Sequence, residues 1–148
     1  VVLSGMNSSA MIQENMATAE ATQAGQLTDE DQAMLQEVVR AINATMKVGC
    51  TGCGYCMPCP KGVDIPGTFA AYNRVYQEGK FAGMKEYFMC TAARKDSTAA
   101  SNCIGCGKCE KHCPQSLPIR THLQAAQKDL ETVIYKAGRK LVKWFTNF

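Results

Sequence analysis

Apolar residues recur at three- and four-residue steps along much of the chain. Leu27, Met34, Leu35, Val38, Val39, Ile42 and Met46 fall on one stripe, with Asp29, Glu30, Gln36 and Arg40 off it. This is the pattern of an amphipathic helix, because 3.6 residues per turn bring those positions to one face. Thr28 and Asp31, three apart, supply a capping box at its start, and the helix is expected to end near Gly49. Upstream, Val1-Val2-Leu3 reads as the end of a buried strand, followed by a turn at Ser4 to Asn7 and a helix from about Ser9 to Ala21. Gly25 marks the break after it. Further on, Pro66 suits the first turn of a helix that Phe69, Tyr72, Asn73, Val75 and Tyr76 carry to Gly79. A second helix is expected from Phe81 to about Ala93, then a loop over Arg94 to Asn102. Leu117-Pro118-Ile119 opens a last helical stretch that runs, with a break or bend, through Leu130, Val133, Ile134, Ala137, Leu141, Trp144 and Phe145. Period-two alternation is almost absent after residue 3, so the expected fold class is all-α behind one leading strand.

Composition narrows this picture. A length of 148 residues allows one ordinary domain, or a small domain with an appendage, and is too short for a large catalytic barrel. The hydrophobic share of 46% is that of a soluble globular protein, and no apolar run nears the ~18 residues that span a bilayer. The net charge of +3 is spread along the chain, which argues against a nucleic-acid partner. The nine cysteines are the anomaly. They could belong to a disulfide scaffold, a zinc module or iron–sulfur ligation, and each has its own spacing and compartment. An odd count without a signal peptide speaks against a secreted disulfide framework, so a reducing cytoplasm is expected.

The spacing decides among them. Cys103-Ile-Gly-Cys106-Gly-Lys-Cys109-Glu-Lys-His-Cys113-Pro114 is C-x2-C-x2-C-x3-C-P, the bacterial ferredoxin pattern. Three thiolates two residues apart can wrap three corners of one cubane, while the fourth, turned by the proline, is directed to the other. Gly105 and Gly107 let the backbone approach closely enough for amide N–H groups to point at sulfur. Cys50-Thr-Gly-Cys53-Gly-Tyr-Cys56-Met-Pro-Cys59-Pro60 is the same device one residue shorter, with glycines at 52 and 54 and a tightened turn at Met57-Pro58. Two [4Fe–4S] clusters follow, with Cys50, Cys53, Cys56 and Cys113 expected on one and Cys103, Cys106, Cys109 and Cys59 on the other. Local ligation within each run is the rival pairing. Zinc is the rival metal, since paired C-x2-C units are common zinc ligands.

The long step from Cys59 to Cys103 has room for two helices. In this the chain resembles the α-helical ferredoxin domains of dicluster oxidoreductases, such as the iron–sulfur subunit of succinate dehydrogenase. The stretches Cys50 to Asn73 and Cys103 to Ile119 are similar to the C-terminal ferredoxin-like domain of aldo/keto reductase-like oxidoreductases. The opening residues, Val1 to Asn15, are similar to the last strand and following helix of an aldo/keto reductase (β/α)8 barrel. The resemblance implies residues 1–26 as a barrel remnant and 27–148 as an α-helical ferredoxin-like dicluster domain with a C-terminal amphipathic helix. It implies that Glu14 and Asn15 match the Glu-Asn that meets the adenine end of NAD(P) in the full-length parent, although Met11 stands where many members carry Arg or Gln. It also implies a truncation: the catalytic residues lie on barrel strands absent from this sequence, so no hydride chemistry is expected of the chain alone. Its expected partners are the parent's catalytic barrel or a redox protein donor, without nucleic acid or membrane.

The remaining candidates have plainer readings. Cys90 is expected to be a buried free thiol, a favoured role for that residue. His112 is expected to lie near a cluster without ligating it. Tyr55 and Ile104 suit either the cover of a cluster face or core packing. Lys136, Arg139, Lys140 and Lys143 are expected to form a solvated face of the last helix, with its apolar side packed on the domain.

Overall fold

The structure, a computed structural model, describes residues 4–146. Among them every regular element is helical, in line with the expected all-α class. The expected strand at Val1 to Leu3 lies outside the described residues. The chain divides into two compact units, Val1–Arg40 and Ala41–Phe148.

The first unit holds helix α1 (Ser9–Ala21) and most of α2 (Asp29–Thr45). Ser8 caps α1, its Oγ accepting the Met11 N–H at 3.3 Å. The capping box at α2 is reciprocal: Thr28 N–H donates to Asp31 Oδ2 at 2.9 Å and Asp31 N–H to Thr28 Oγ1 at 3.1 Å. The Thr28 N–H and then the Thr28 hydroxyl, which donates to the same Oδ2 at 2.7 Å, hold the Asp31 carboxyl below the usual carboxylate range. Neither helix buries a residue, and the α2 stripe of Leu35, Val38, Val39 and Ile42 stands exposed. The helix stops at Thr45, short of Gly49, where the Thr45 hydroxyl turns back onto the Ile42 carbonyl at 2.9 Å.

The second unit contains α3 (Ile65–Glu78), α4 (Lys80–Tyr87), α5 (Lys108–Lys111), α6 (Ile119–Leu130) and α7 (Val133–Thr146). Asp64 caps α3 through the Gly67 N–H at 3.0 Å, with Pro66 in the first turn as expected. α3 and α4 form a hairpin across Gly79 and approach closely at Gly83, where a Cβ would meet Val75 Cγ2 and come within 2.7 Å of the Ala71 carbonyl oxygen. α6 packs on α3 through an edge-on Phe69–His122 contact and a 3.0 Å hydrogen bond from Tyr72 Oη to Asp129. Ile65, Phe69, Leu123 and Leu130 are fully buried there, each worth about 1.5–3 kcal/mol of transfer free energy.

The helix expected over Phe81 to Ala93 changes pitch part-way, becoming a π-helical turn at Phe88–Ala92. Its terminal carbonyls are capped from α7: Arg139 donates to the carbonyls of Ala92 at 2.7 Å, Lys95 at 3.0 Å and Arg94. One cation of the expected solvated face is therefore a structural cap. The apolar side of α7 also departs from expectation. Tyr135 is buried and Gly138 seats against Phe88, but Val133, Ile134 and Leu141 face out, because the helix rests on the unit by a narrow edge of Tyr135, Gly138 and the capping Arg139.

A buried polar network steers the chain into the second cysteine run. Tyr87 Oη donates to Glu131 Oε1 at 2.8 Å and accepts the Ala100 N–H at 2.8 Å, while Ser101 N–H reaches the same carboxylate oxygen at 2.9 Å. Burial pushes the Tyr87 phenol above its ordinary value, keeping it a donor. The short 3-10 turn Ala100–Asn102, immediately before Cys103, hangs from this network.

Candidate metal centre

Each cysteine run is fastened at its entry. Before the first, Val48 N–H donates to Asn73 Oδ1 at 2.7 Å and Asn73 Nδ2 donates to the Val48 carbonyl at 2.8 Å, a two-point clamp onto α3. Before the second, Cys103 N–H closes the 3-10 turn on Ala100. The runs are joined upstream of their helices where Asp64 N–H donates to the Thr98 carbonyl at 2.9 Å. Each fourth cysteine and its proline lead to a helix, α3 or α6, whose first residue, Ile65 or Ile119, is buried beneath the cysteines.

Gly52, Gly54, Gly105 and Gly107 all have positive φ, between 69° and 77°. That conformation turns successive amides inward, and Gly52 N–H points at Cys50 Sγ at 3.4 Å. The Met57-Pro58 bond, in the shorter spacer, is cis.

Two cavities gather the cysteines. The larger, about 380 Å³, is lined by Cys56, Cys59, Cys103, Cys106 and Cys109. The narrower, about 20 Å³, is lined by Cys50, Cys53, Cys56 and Cys113. Cys59 thus stands with the second run and Cys113 with the first. The narrow cavity needs the Cys50–Cys56 loop to move outward to take a cubane, and that segment has no helix or strand to resist it. Cys56 lies between the two. Burial, followed by the nearby sulfurs of Cys50, Cys109 and Cys53, pushes its thiol up to about 11, and burial raises Cys109 as well. Metal binding must displace those protons.

Tyr55 and Ile104 line the larger cavity and are otherwise exposed, which excludes core packing for both. His112 lines it too, beside Lys61, Lys108 and Arg120. Cys90 lines neither cavity. Glu14 and Asn15 are exposed on α1, and Asn15 Nδ2 donates to Ser4 Oγ at 3.2 Å. The sequence reading missed Asn73 as the entry clamp, and it missed Glu110 and Arg120, which pair beside the second run. Ten residues apart and on different elements, that pair has no periodic signal.

A cubane's four ligands surround a body several bonds wide, so they must ring a cavity and leave the middle open. A single zinc ion instead draws four donors to one point at about 2.3 Å for sulfur. Among the described residues no three His, Cys, Asp or Glu side chains converge in that way. The larger cavity has the donor set and room for the cubane.

Residues 49–117 match the family model of a 4Fe-4S dicluster domain. No curated protein and no solved structure matches the chain. The match spans both cysteine runs and supports iron–sulfur binding there; it does not extend to an aldo/keto reductase. Outside it lie the whole of α1, α2, α6 and α7. Among the described residues no helix is long and apolar enough to cross a membrane.

Proposed function

We propose that the chain is an electron-transfer domain carrying two [4Fe–4S] clusters with crossed ligation, Cys50, Cys53, Cys56 and Cys113 on one and Cys103, Cys106, Cys109 and Cys59 on the other. The observation that carries this reading is the composition of the two cavities, each of which includes the last cysteine of the other run, with Cys56 bordering both. When bound, such clusters accept and release single electrons. The protein's part is to hold the thiolates, aim backbone amides at sulfur and shield the faces with Tyr55 and Ile104. Cys56, bordering both cavities, makes the sites near neighbours, as transfer between them requires.

The finer assignment, an aldo/keto reductase-family oxidoreductase in a reducing cytoplasm, is supported by the residue resemblance at Val1 to Asn15 and across the cysteine runs. In that parent, Glu14 and Asn15 would meet the adenine end of NAD(P), and the barrel or a redox protein would exchange electrons with the clusters.

Chemical analysis of anaerobically purified and reconstituted chain tests the reading. We expect about eight irons and eight labile sulfides per chain, as two cubanes require. Stoichiometric zinc without sulfide would instead make this a zinc-stabilised structural or interaction module.

A further inference from the structure

Glu110 sits inside the second cysteine run, between Cys109 and Cys113, and reaches across to the start of α6. Its Oε1 accepts the Arg120 N–H at 2.9 Å, which caps a helix whose own cap position, Pro118, offers no side-chain acceptor. Its Oε2 takes the Arg120 guanidinium in a fork, Nε at 3.0 Å and Nη2 at 2.9 Å. The remaining arm, Nη1, donates to the Gly105 carbonyl at 3.4 Å. Gly107 lies so close beneath that a Cβ there would touch the guanidinium at 3.6 Å. Arg120 therefore spans the ligand loop from Gly105 to Glu110. It lines the larger cysteine cavity on one side and, on the other, a polar cavity of about 400 Å³ shared with Thr121, Gln124 and Gln127.

We propose that Arg120 and Glu110 are a charge-balanced pair that sets the reduction potential of the centre built on Cys103, Cys106 and Cys109, an inference that rests on the iron–sulfur reading. Reduction adds one electron to that centre, taken from an external one-electron donor, so a fixed charge beside the loop acts on it directly. With both partners present the guanidinium and carboxylate largely cancel. Removing Arg120 leaves an unbalanced carboxylate, which opposes the added electron; removing Glu110 leaves an unbalanced cation, which favours it. Lys61, Lys108 and His112 line the same cavity and are unchanged by either substitution. Both groups of the pair are partly solvent-exposed, so their effect should weaken with salt.

The test is an anaerobic redox titration, followed by electron paramagnetic resonance, of reconstituted wild type, Arg120→Gln, Glu110→Gln and Arg120→Lys. Gln at 110 keeps an oxygen to cap α6, and Lys at 120 keeps the charge without the fork. The expected result is that one of two potentials moves down in Arg120→Gln, up in Glu110→Gln and little in Arg120→Lys, with smaller shifts at high salt. Shifts of the same sign in both Gln variants, no shift, or loss of iron from both would make the pair a structural staple only and overturn the proposal. Wild type lacking iron and sulfide would be a different failure, that of the iron–sulfur reading itself.

Discussion

Cys90 differs from the other eight cysteines in what surrounds it. Its Sγ lies on the π-helical turn, where the thiol donates to the Tyr87 carbonyl at 3.4 Å. Burial, with smaller contributions from the Asp64 and Glu86 carboxylates, pushes the thiol up to about 11. The sign of the linked stability follows. Below pH 9 the group is protonated in folded and unfolded chains alike; between 9 and 11 the unfolded chain loses its proton first, so stability falls as pH rises. Cys90→Ala should keep both cluster spectra and lack this alkaline component when chemical denaturation is followed from pH 8 to 11. Loss of a cluster signal in that variant would make Cys90 a ligand. Its sequence position, beside Met89 on an apolar helix, suggested a buried thiol, and the structure leaves it half-buried.

The α3–α4 hairpin depends on one missing side chain. At Gly83 a Cβ would run into Val75 and the Ala71 carbonyl, and backbone cannot yield as a flexible side chain can. Gly83→Ala is expected to destabilise the protein by roughly 1–3 kcal/mol, the usual range for overpacking, measured by urea denaturation of the reconstituted protein. A change under a few tenths would mean the helices slide apart freely. Helix placement was well announced by sequence, because caps and glycines are local: the Thr28–Asp31 box, Pro66 and Gly79 all mark real boundaries. The π-helical turn and the exposed edge of α7 were not, since both depend on what packs alongside. Arg139 reads as a surface cation until the Ala92, Arg94 and Lys95 carbonyls are brought to it from far along the chain.

Across the whole molecule, the cysteine runs could be read from their spacing, but the pairing of Cys59 and Cys113 could not, because a fourth ligand one residue early leaves local and crossed ligation both open. The polar ties that deliver the runs, Asn73 to Val48 and Tyr87 to Ala100 and Glu131, were also hidden, since each joins residues far apart in sequence. If ligation is crossed, each cluster ties the loop before α3 to the loop before α6, and metal binding contributes directly to folding. Cluster-resolved Mössbauer or paramagnetic resonance spectra of Cys113→Ser test this most directly. The cluster held by Cys50, Cys53 and Cys56 should be perturbed while the one held by Cys103, Cys106 and Cys109 keeps its signal, with Cys59→Ser showing the reverse. Damage in Cys113→Ser confined to the cluster on Cys103, Cys106 and Cys109 would show that ligation is local and contradict the account.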